Sequence, residues 1–196
     1  MTDNSLRVAI IIGSVRGGRF GPTAAHWMAA RAVSHTGLVV DVIDLLDHPL
    51  PLTMPAQDGA LPEDIAAVHA ALGERLAAAD AFIVVTPEYN HTPPAALKNL
   101  IDWFVAEWAA KPVAFVSYGG MSGGLRAVEH LRQTFSALQT VPVRESVSFR
   151  YPWDTFDGAE PVDAEAAESA AKTVLDRLVW WAEALRAARV LRPFEA

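Results

Sequence analysis

The chain contains no cysteine, which removes disulfides, thiol nucleophiles and thiolate-bound metals from consideration and fits a cytoplasmic setting. It has no apolar run of about 18 residues, so no membrane-crossing helix is expected. Its first residues, Met1 to Ser5, lack a basic segment followed by an apolar one, and no secretory leader is expected. Positive charge is scarce: 16 Lys and Arg stand against 23 Asp and Glu, a net charge of −7. Nucleic-acid binding relies on clustered Lys and Arg, so it is not expected either. The six histidines share no metal-ligand spacing such as H-E-x-x-H, and no metal is expected. Internal repeats, low-complexity segments and dividing linkers are also missing. With 196 residues, 52% of them apolar, the chain reads as one domain over 1–196 that takes a small-molecule ligand.

What is present is concentrated near the start. Leu6 to Ile12 is a nearly unbroken apolar, β-branched run, suited to a strand buried on both faces. It stops at a loop rich in glycine, hydroxyl and arginine, from Gly13-Ser14-Val15-Arg16 to Arg19-Phe20-Gly21, and Pro22-Thr23 opens a helix running to about Ala32. Strand, glycine-rich turn and helix N-terminus in that order form an anion site, because the first helical N–H groups are unpaired and partly positive. Neither G-x-G-x-x-G nor G-x-x-x-x-G-K-[ST] is present. The hydroxyl of Ser14 and the planar fork of Arg16 suit a terminal phosphate better than a bridging pyrophosphate. An ordinary turn carrying a solvated arginine is the other reading of the same residues.

Further along, strands are expected at Leu38–Leu45, Ala81–Thr86, Pro112–Ser117 and Val141–Phe149, the last partly alternating and therefore at an edge. Helices are expected at Glu63–Ala79, Ala95 to about Ala106, Leu125 to about Leu138 and about Asp163 to Ala188, with Asp154–Gly158 a turn. The prolines between Asp47 and Pro62 impose a long, stiff loop, either a wall over a site, a contact to a partner or a passive connector. Five alternations of strand and helix call for an α/β/α sandwich around a parallel sheet. Five strands fit the flavodoxin-like order 2-1-3-4-5, whose ligand site lies at the C-terminal ends of strands one and three. Those ends carry the two least ordinary loops.

Gly13-Ser14-Val15-Arg16, Pro87-Glu88-Tyr89-Asn90 and Ser117-Tyr118-Gly119-Gly120 together resemble the NAD(P)H-dependent FMN reductase family, which includes flavin-dependent quinone and chromate reductases and some azoreductases. The most specific piece is Pro87–Asn90 followed by Pro93 and Ala96-Leu97-Lys98-Asn99-Leu100-Ile101-Asp102-Trp103. The resemblance implies that Ser14, Arg16 and the start of the first helix hold the FMN phosphate. It implies that Pro87, Glu88, Tyr89 and Asn90 lie along the isoalloxazine edge, and that Ser117, Tyr118, Gly119 and Gly120 line its other side. Family members often carry Ser-Phe-Asn where this chain has Arg19-Phe20-Gly21. Phe20 is kept, and Arg19 either substitutes as a phosphate contact or points to solvent.

The resemblance also implies hydride transfer from NADPH or NADH to FMN and on to a small acceptor such as flavin or quinone, in a homodimer or homotetramer. Hydride chemistry belongs to the flavin, which suits a chain without a triad or carboxylate dyad. Backbone N–H groups of the 87–90 and 117–120 loops would stabilise charge on the reduced ring. A flavodoxin-type electron carrier that never meets nicotinamide is the alternative. Several residues carry open readings. His91 is a proton donor or simply exposed; Glu88 is a base, a helix cap or a subunit contact. Trp103, Phe104 and Trp108 suggest an interface. In the last helix, Val174, Leu178, Trp181 and Leu185 are expected on the buried face, with Trp180 half-covered beside a core Trp181.

Overall fold

A computed structural model describes residues 5–56 and 59–195. Met1–Asn4, on which the reading of the leader rests, and Asp58 of the proline-rich segment lie outside the described residues. The elements run β1 (Leu6–Ile12), α1 (Gly21–Ser34), β2 (Leu38–Asp44), α2 (Glu63–Ala78), β3 (Ala81–Pro87), α3 (Ala95–Trp103), β4 (Pro112–Gly119), α4 (Leu125–Ala137) and β5 (Val141–Arg150). A one-turn helix, α5 (Pro152–Thr155), and a small hairpin of β6 (Phe156–Asp157) and β7 (Glu160–Pro161) precede α6 (Ala164–Leu191).

All neighbouring strands of the main sheet are parallel, in the order β2-β1-β3-β4-β5. This is the expected flavodoxin-like arrangement. Its cause is visible in the two central strands: six of seven residues of β1 and all seven of β3 are buried. A strand so covered needs helices on both faces. One face is packed by α1 and α6, through Ala24, Trp27, Met28, Val174 and Leu178. The other is packed by α2, α3 and α4, through Leu72, Leu76, Leu97, Ile101 and Leu131. Reversal of strand order at β1 leaves a crevice at the C-terminal tips of β1 and β3.

Four expectations are corrected. The helix after the third strand ends at Trp103, because Phe104 turns extended (φ −128°, ψ 136°) and stacks its ring on His69, centroids 4.7 Å apart. Trp103, Phe104 and Trp108 are therefore all buried within this chain, and Trp108 packs on Phe82 and Phe135. They supply no interface. In α6 the buried stripe is Ala171, Val174, Leu175, Leu178 and Ala182; Trp181, 37% exposed, lies outside it beside Trp180. The Asp154–Gly158 segment is more ordered than a turn, forming the second half of α5 and the first strand of the β6–β7 hairpin.

The proline-rich segment acts as a wall. Asn99 Nδ2 donates to the Leu50 and Pro51 carbonyls at 3.0 and 3.3 Å, and Trp103 Nε1 donates to the Pro51 carbonyl at 3.0 Å. Pinned this way on α3, the segment encloses an apolar cleft of about 400 Å³ between Val15, Leu45, Leu50, Ala96 and Leu100.

Candidate mononucleotide site at the strand tips

The loop after β1 is held by two glycines and one ion pair. A Cβ on Gly13 would lie 3.0 Å from Leu97 Cδ2, and one on Gly21 would lie 3.0 Å from both Ile12 Cγ2 and Tyr118 Oη. The backbone thus runs where a larger residue would push the loop off the sheet. Arg19 is engaged within the protein. Its guanidinium grips Asp44, at the end of β2, through two hydrogen bonds of 2.6 Å, and also donates to the Ser14 carbonyl at 2.5 Å. Burial would raise the Asp44 carboxyl, but Arg19 and the Leu46 N–H outweigh it and hold the group below its ordinary value. Arg19 is a brace between β1 and β2 and does not point to solvent.

Arg16 differs. It is exposed, and its guanidinium makes no hydrogen bond or ion pair among the described residues. It belongs to the loop that leads into α1, a helix with no side-chain cap and no acidic residue in its first turn. Ser14 is fully buried and shares a 2.8 Å hydrogen bond with the hydroxyl of Tyr89, joining the first loop to the one after β3. Tyr118 Oη is buried beside Gly21 without a hydrogen-bond partner among the described residues, and burial, reinforced by Tyr89, pushes its pKa up. An uncapped helix start, a free guanidinium, a glycine cradle and an orphaned hydroxyl form a set that a phosphate monoester fits. Phe20 contributes its backbone at the helix start. Its ring instead packs edge-on against Tyr118 and Phe156, at 5.2 and 4.7 Å.

The loop after β3 is a tight hairpin. Tyr89 and Thr92 exchange backbone hydrogen bonds of 2.9 and 3.1 Å, with Asn90 and His91 both at positive φ, 49° and 72°. Two left-handed central residues make a turn of type I′ pattern, uncommon without glycine and typical of a backbone held for a purpose. Asn90 and His91 are exposed there, whereas Pro87 is buried.

Glu88 settles as a helix cap within the same chain. Its carboxylate accepts from Ser122 Oγ at 2.7 Å and the Arg126 N–H at 3.1 Å, and pairs with Arg126 Nη1 at 2.9 Å. Burial would raise this carboxyl, but Ser122 and Arg126 hold it below its ordinary value. Its N–H donates to the Tyr118 carbonyl at 3.2 Å, which ties the second loop to the third. The Glu88 and Tyr89 N–H groups are therefore used inside the protein. Those of Asn90 and Gly120 have no partner among the described residues.

The loop after β4 is shaped by Gly123 and Gly124, at φ 60° and 86°; a Cβ on Gly124 would lie 2.7 Å from Ser117 Cβ. Buried Ser117 donates to the Gly123 carbonyl at 2.8 Å, so its hydroxyl fastens the loop. Gly119 and Gly120 remain at the partly open surface. Asp44, Gly124, Ser122 and Arg126 were not singled out in the sequence, and Asn99 and Trp103 entered only through the family motif and, for Trp103, a suggested interface. An acidic residue at the end of the second strand, and glycines continuing past Gly120, were the signals for the first two.

The structure thus brings all three loops to one crevice at the topological switch point, the arrangement of a flavodoxin-like mononucleotide-binding protein. A family model described as NADPH-dependent FMN reductase matches residues 6–154. The chain belongs to that family.

Among individual relatives, it is 38% identical over 123 residues to an NAD(P)H-dependent FMN reductase of Schizosaccharomyces pombe, a match spanning 60% of each chain. It is 37% identical over 135 residues to a probable NADPH:quinone oxidoreductase of Oryza sativa, covering 66% of this chain and 64% of that one. The chain thus spans less than two thirds of the length of these two relatives. A 2-hydroxy-1,4-benzoquinone reductase of Burkholderia is 29% identical, covering 90% of this chain and 96% of that one. The NAD(P)H:(acceptor) oxidoreductase of Paracoccus denitrificans shares the fold, with a TM-score of 0.69, 22% identity and coverage of 91% of this chain and 97% of that one.

Proposed function

We propose that this protein is an FMN-dependent oxidoreductase that takes hydride from NADPH or NADH and delivers electrons to a small acceptor, a flavin, a quinone or a similar compound. The observation that carries the reading is the start of α1, left uncapped and free of acid after a loop that carries the unpaired Arg16. Ser14, Arg16 and the first N–H groups from Phe20 and Gly21 onward hold the FMN phosphate. Tyr89, Asn90, Gly119 and Gly120 lie along the ring, where the unpartnered Asn90 and Gly120 N–H groups are donors toward its polar edge. FMN supplies the hydride-accepting and electron-donating chemistry. The residues of the chain orient it and leave one face for nicotinamide and acceptor in turn. His91, exposed in the turn, is a further group at that face.

The reading includes one domain over the whole chain, a cytoplasmic location in keeping with the absence of cysteine, and a homodimer or homotetramer. With the three buried aromatics withdrawn from the surface, support for self-association comes from apolar side chains around the crevice. Leu46, Leu52 and Met121 are 52%, 77% and 69% exposed. Light scattering on the purified protein checks the oligomer.

The decisive experiment loads the protein with FMN and adds NADPH or NADH under anaerobic conditions. Bleaching of the flavin absorbance within seconds is expected. A yellow protein that stays yellow would instead be a flavodoxin-type electron carrier. Colourless protein that cannot be reconstituted would overturn the FMN site.

A further inference from the structure

The end of β5 carries a group of residues that the mononucleotide site does not use. Tyr151 sits at φ 47°, ψ 60°, a left-handed conformation uncommon for an aromatic residue. The kink has a visible result. The Tyr151 N–H donates to the Gly119 carbonyl at 2.7 Å, and the ring comes against Gly120, where a Cβ would lie 3.7 Å from Tyr151 Cε1. Trp153, in α5, meets the Tyr151 ring edge-on, centroids 5.6 Å apart at 75°.

Both aromatics face water, Tyr151 at 42% and Trp153 at 66% exposure. The core has no need of them. Phe149 and Phe156, on either side in the chain, already pack together at 4.8 Å, and Phe149 also meets Trp27. Arg150 borders the same loop: a Cβ on Gly123 would lie 3.0 Å from its Cγ. Its guanidinium makes no hydrogen bond or ion pair among the described residues. Arg126, the other arginine near this loop, is engaged by Glu88.

We propose that Arg150, Tyr151 and Trp153 form the docking place of the nicotinamide dinucleotide, one of its rings stacked on the Trp153 indole and a phosphate paired with Arg150. The inference rests on the oxidoreductase reading. An aromatic face beside an unpaired guanidinium suits a ligand that is both planar and anionic. A neutral quinone makes no use of the arginine, and the phosphate of FMN is provided for at α1. The protein carries a net charge of −7 and repels a polyanionic nucleotide at long range, so a local cation at the point of contact has a definite purpose. The kink at Tyr151 is what turns this group onto the loop that lines the flavin site.

The test uses the full chain loaded with FMN. Calorimetric titration with NADP+ and NAD+, which give no turnover, measures affinity, and stopped-flow reduction by NADPH and NADH measures the productive complex. Trp153→Ala and Arg150→Ala are each expected to weaken the nucleotide about tenfold. Trp153→Phe should recover most of the affinity, and the Arg150→Ala variant should lose part of the salt dependence. FMN affinity should remain that of the parent protein. Nucleotide affinities equal to the parent's in both alanine variants would overturn the proposal. A loss of FMN affinity in its place, or a raised quinone KM with nucleotide affinity intact, would overturn it too. If NAD(P)H fails to reduce FMN bound to the parent protein, the oxidoreductase reading falls and the inference with it. Equal reduction in parent and variants sinks the inference alone.

Discussion

Two helices that begin at the strand tips treat their orphan N–H groups in opposite ways. At α4 the chain supplies its own anion: Glu88 reaches across from the loop after β3 and its carboxylate takes the Arg126 N–H, the Ser122 hydroxyl and the Arg126 guanidinium. At α1 no side chain caps the helix, its first turn carries no acid, and Arg16 in the loop before it is unpaired. The start of α6 follows the α4 pattern, with Asp163 accepting from the Ala166 N–H at 3.1 Å. A helix start satisfied from within is a structural joint. One left open after a loop with a free cation, at a switch point, is a place for a ligand.

The harshest way to break the comparison is to deform the α4 joint. Gly124 caps that helix at φ 86°, and a Cβ there would lie 2.7 Å from Ser117 Cβ and 2.9 Å from the Tyr118 nitrogen. Gly124→Ala should cost more than about 3 kcal/mol, by combined clash and left-handed strain. Chemical denaturation would show it, and a variant of normal stability would mean that the loop is not held as described. Glu88→Ala comes next. It strips three polar contacts from a side chain only 8% exposed, and should cost about 2–3 kcal/mol. In a chain of this size that lowers the melting temperature by roughly 5–10 °C.

The two arginines of the first loop sharpen the contrast. Arg16→Ala should weaken FMN binding by about 1.5–3 kcal/mol, the worth of a charge-assisted hydrogen bond, and leave the unliganded melting temperature where it was. Arg19→Ala should do the reverse. It leaves Asp44, 19% exposed, without its partner, and should cost about 1–3 kcal/mol of stability in the unliganded protein. Fluorescence titration with FMN and thermal melts, run on both variants, form a crossed design. If Arg19→Ala loses FMN and keeps its stability, the assignment of brace and ligand group is inverted.

Why does the sequence suggest Arg16 as a ligand group but not Arg19 as a brace? The strand order and the three loops follow from local signals: apolar runs of strand length, glycines and prolines between them, and the family motif. Arg16 sits within one such signal. The role of Arg19 depends on Asp44, 25 residues away on the neighbouring strand, and no local pattern announces which carboxylate a guanidinium will find. The same limit explains Trp108. Three aromatics close in sequence looked like surface, because their burial requires α3 to end at Trp103 and Phe104 to turn inward onto His69. Glu88 meets the same limit: the sequence left it a base, a cap or a subunit contact, because its partners Ser122 and Arg126 lie 34 and 38 residues away.

The smallest effect concerns acid. Asp44 and Glu88 are both held below their ordinary carboxylate values, by Arg19 and the Leu46 N–H in one case and by Ser122 and Arg126 in the other. A carboxylate depressed in the folded state contributes stability that is complete above its unfolded value and is lost as pH falls through the folded one. For Glu88 that loss begins below about 4.5, and both joints should therefore hold unchanged from neutral pH down to about 5. The Glu88→Gln variant isolates one of them. Its deficit relative to the parent should be constant between pH 7 and 5 and shrink as pH falls toward 3, because the parent then loses by protonation what the variant lost by substitution. Denaturation midpoints measured across that range decide it. A deficit that stays flat to pH 3 would mean that the charge of Glu88 does nothing for α4, and that the two helix starts differ in shape alone.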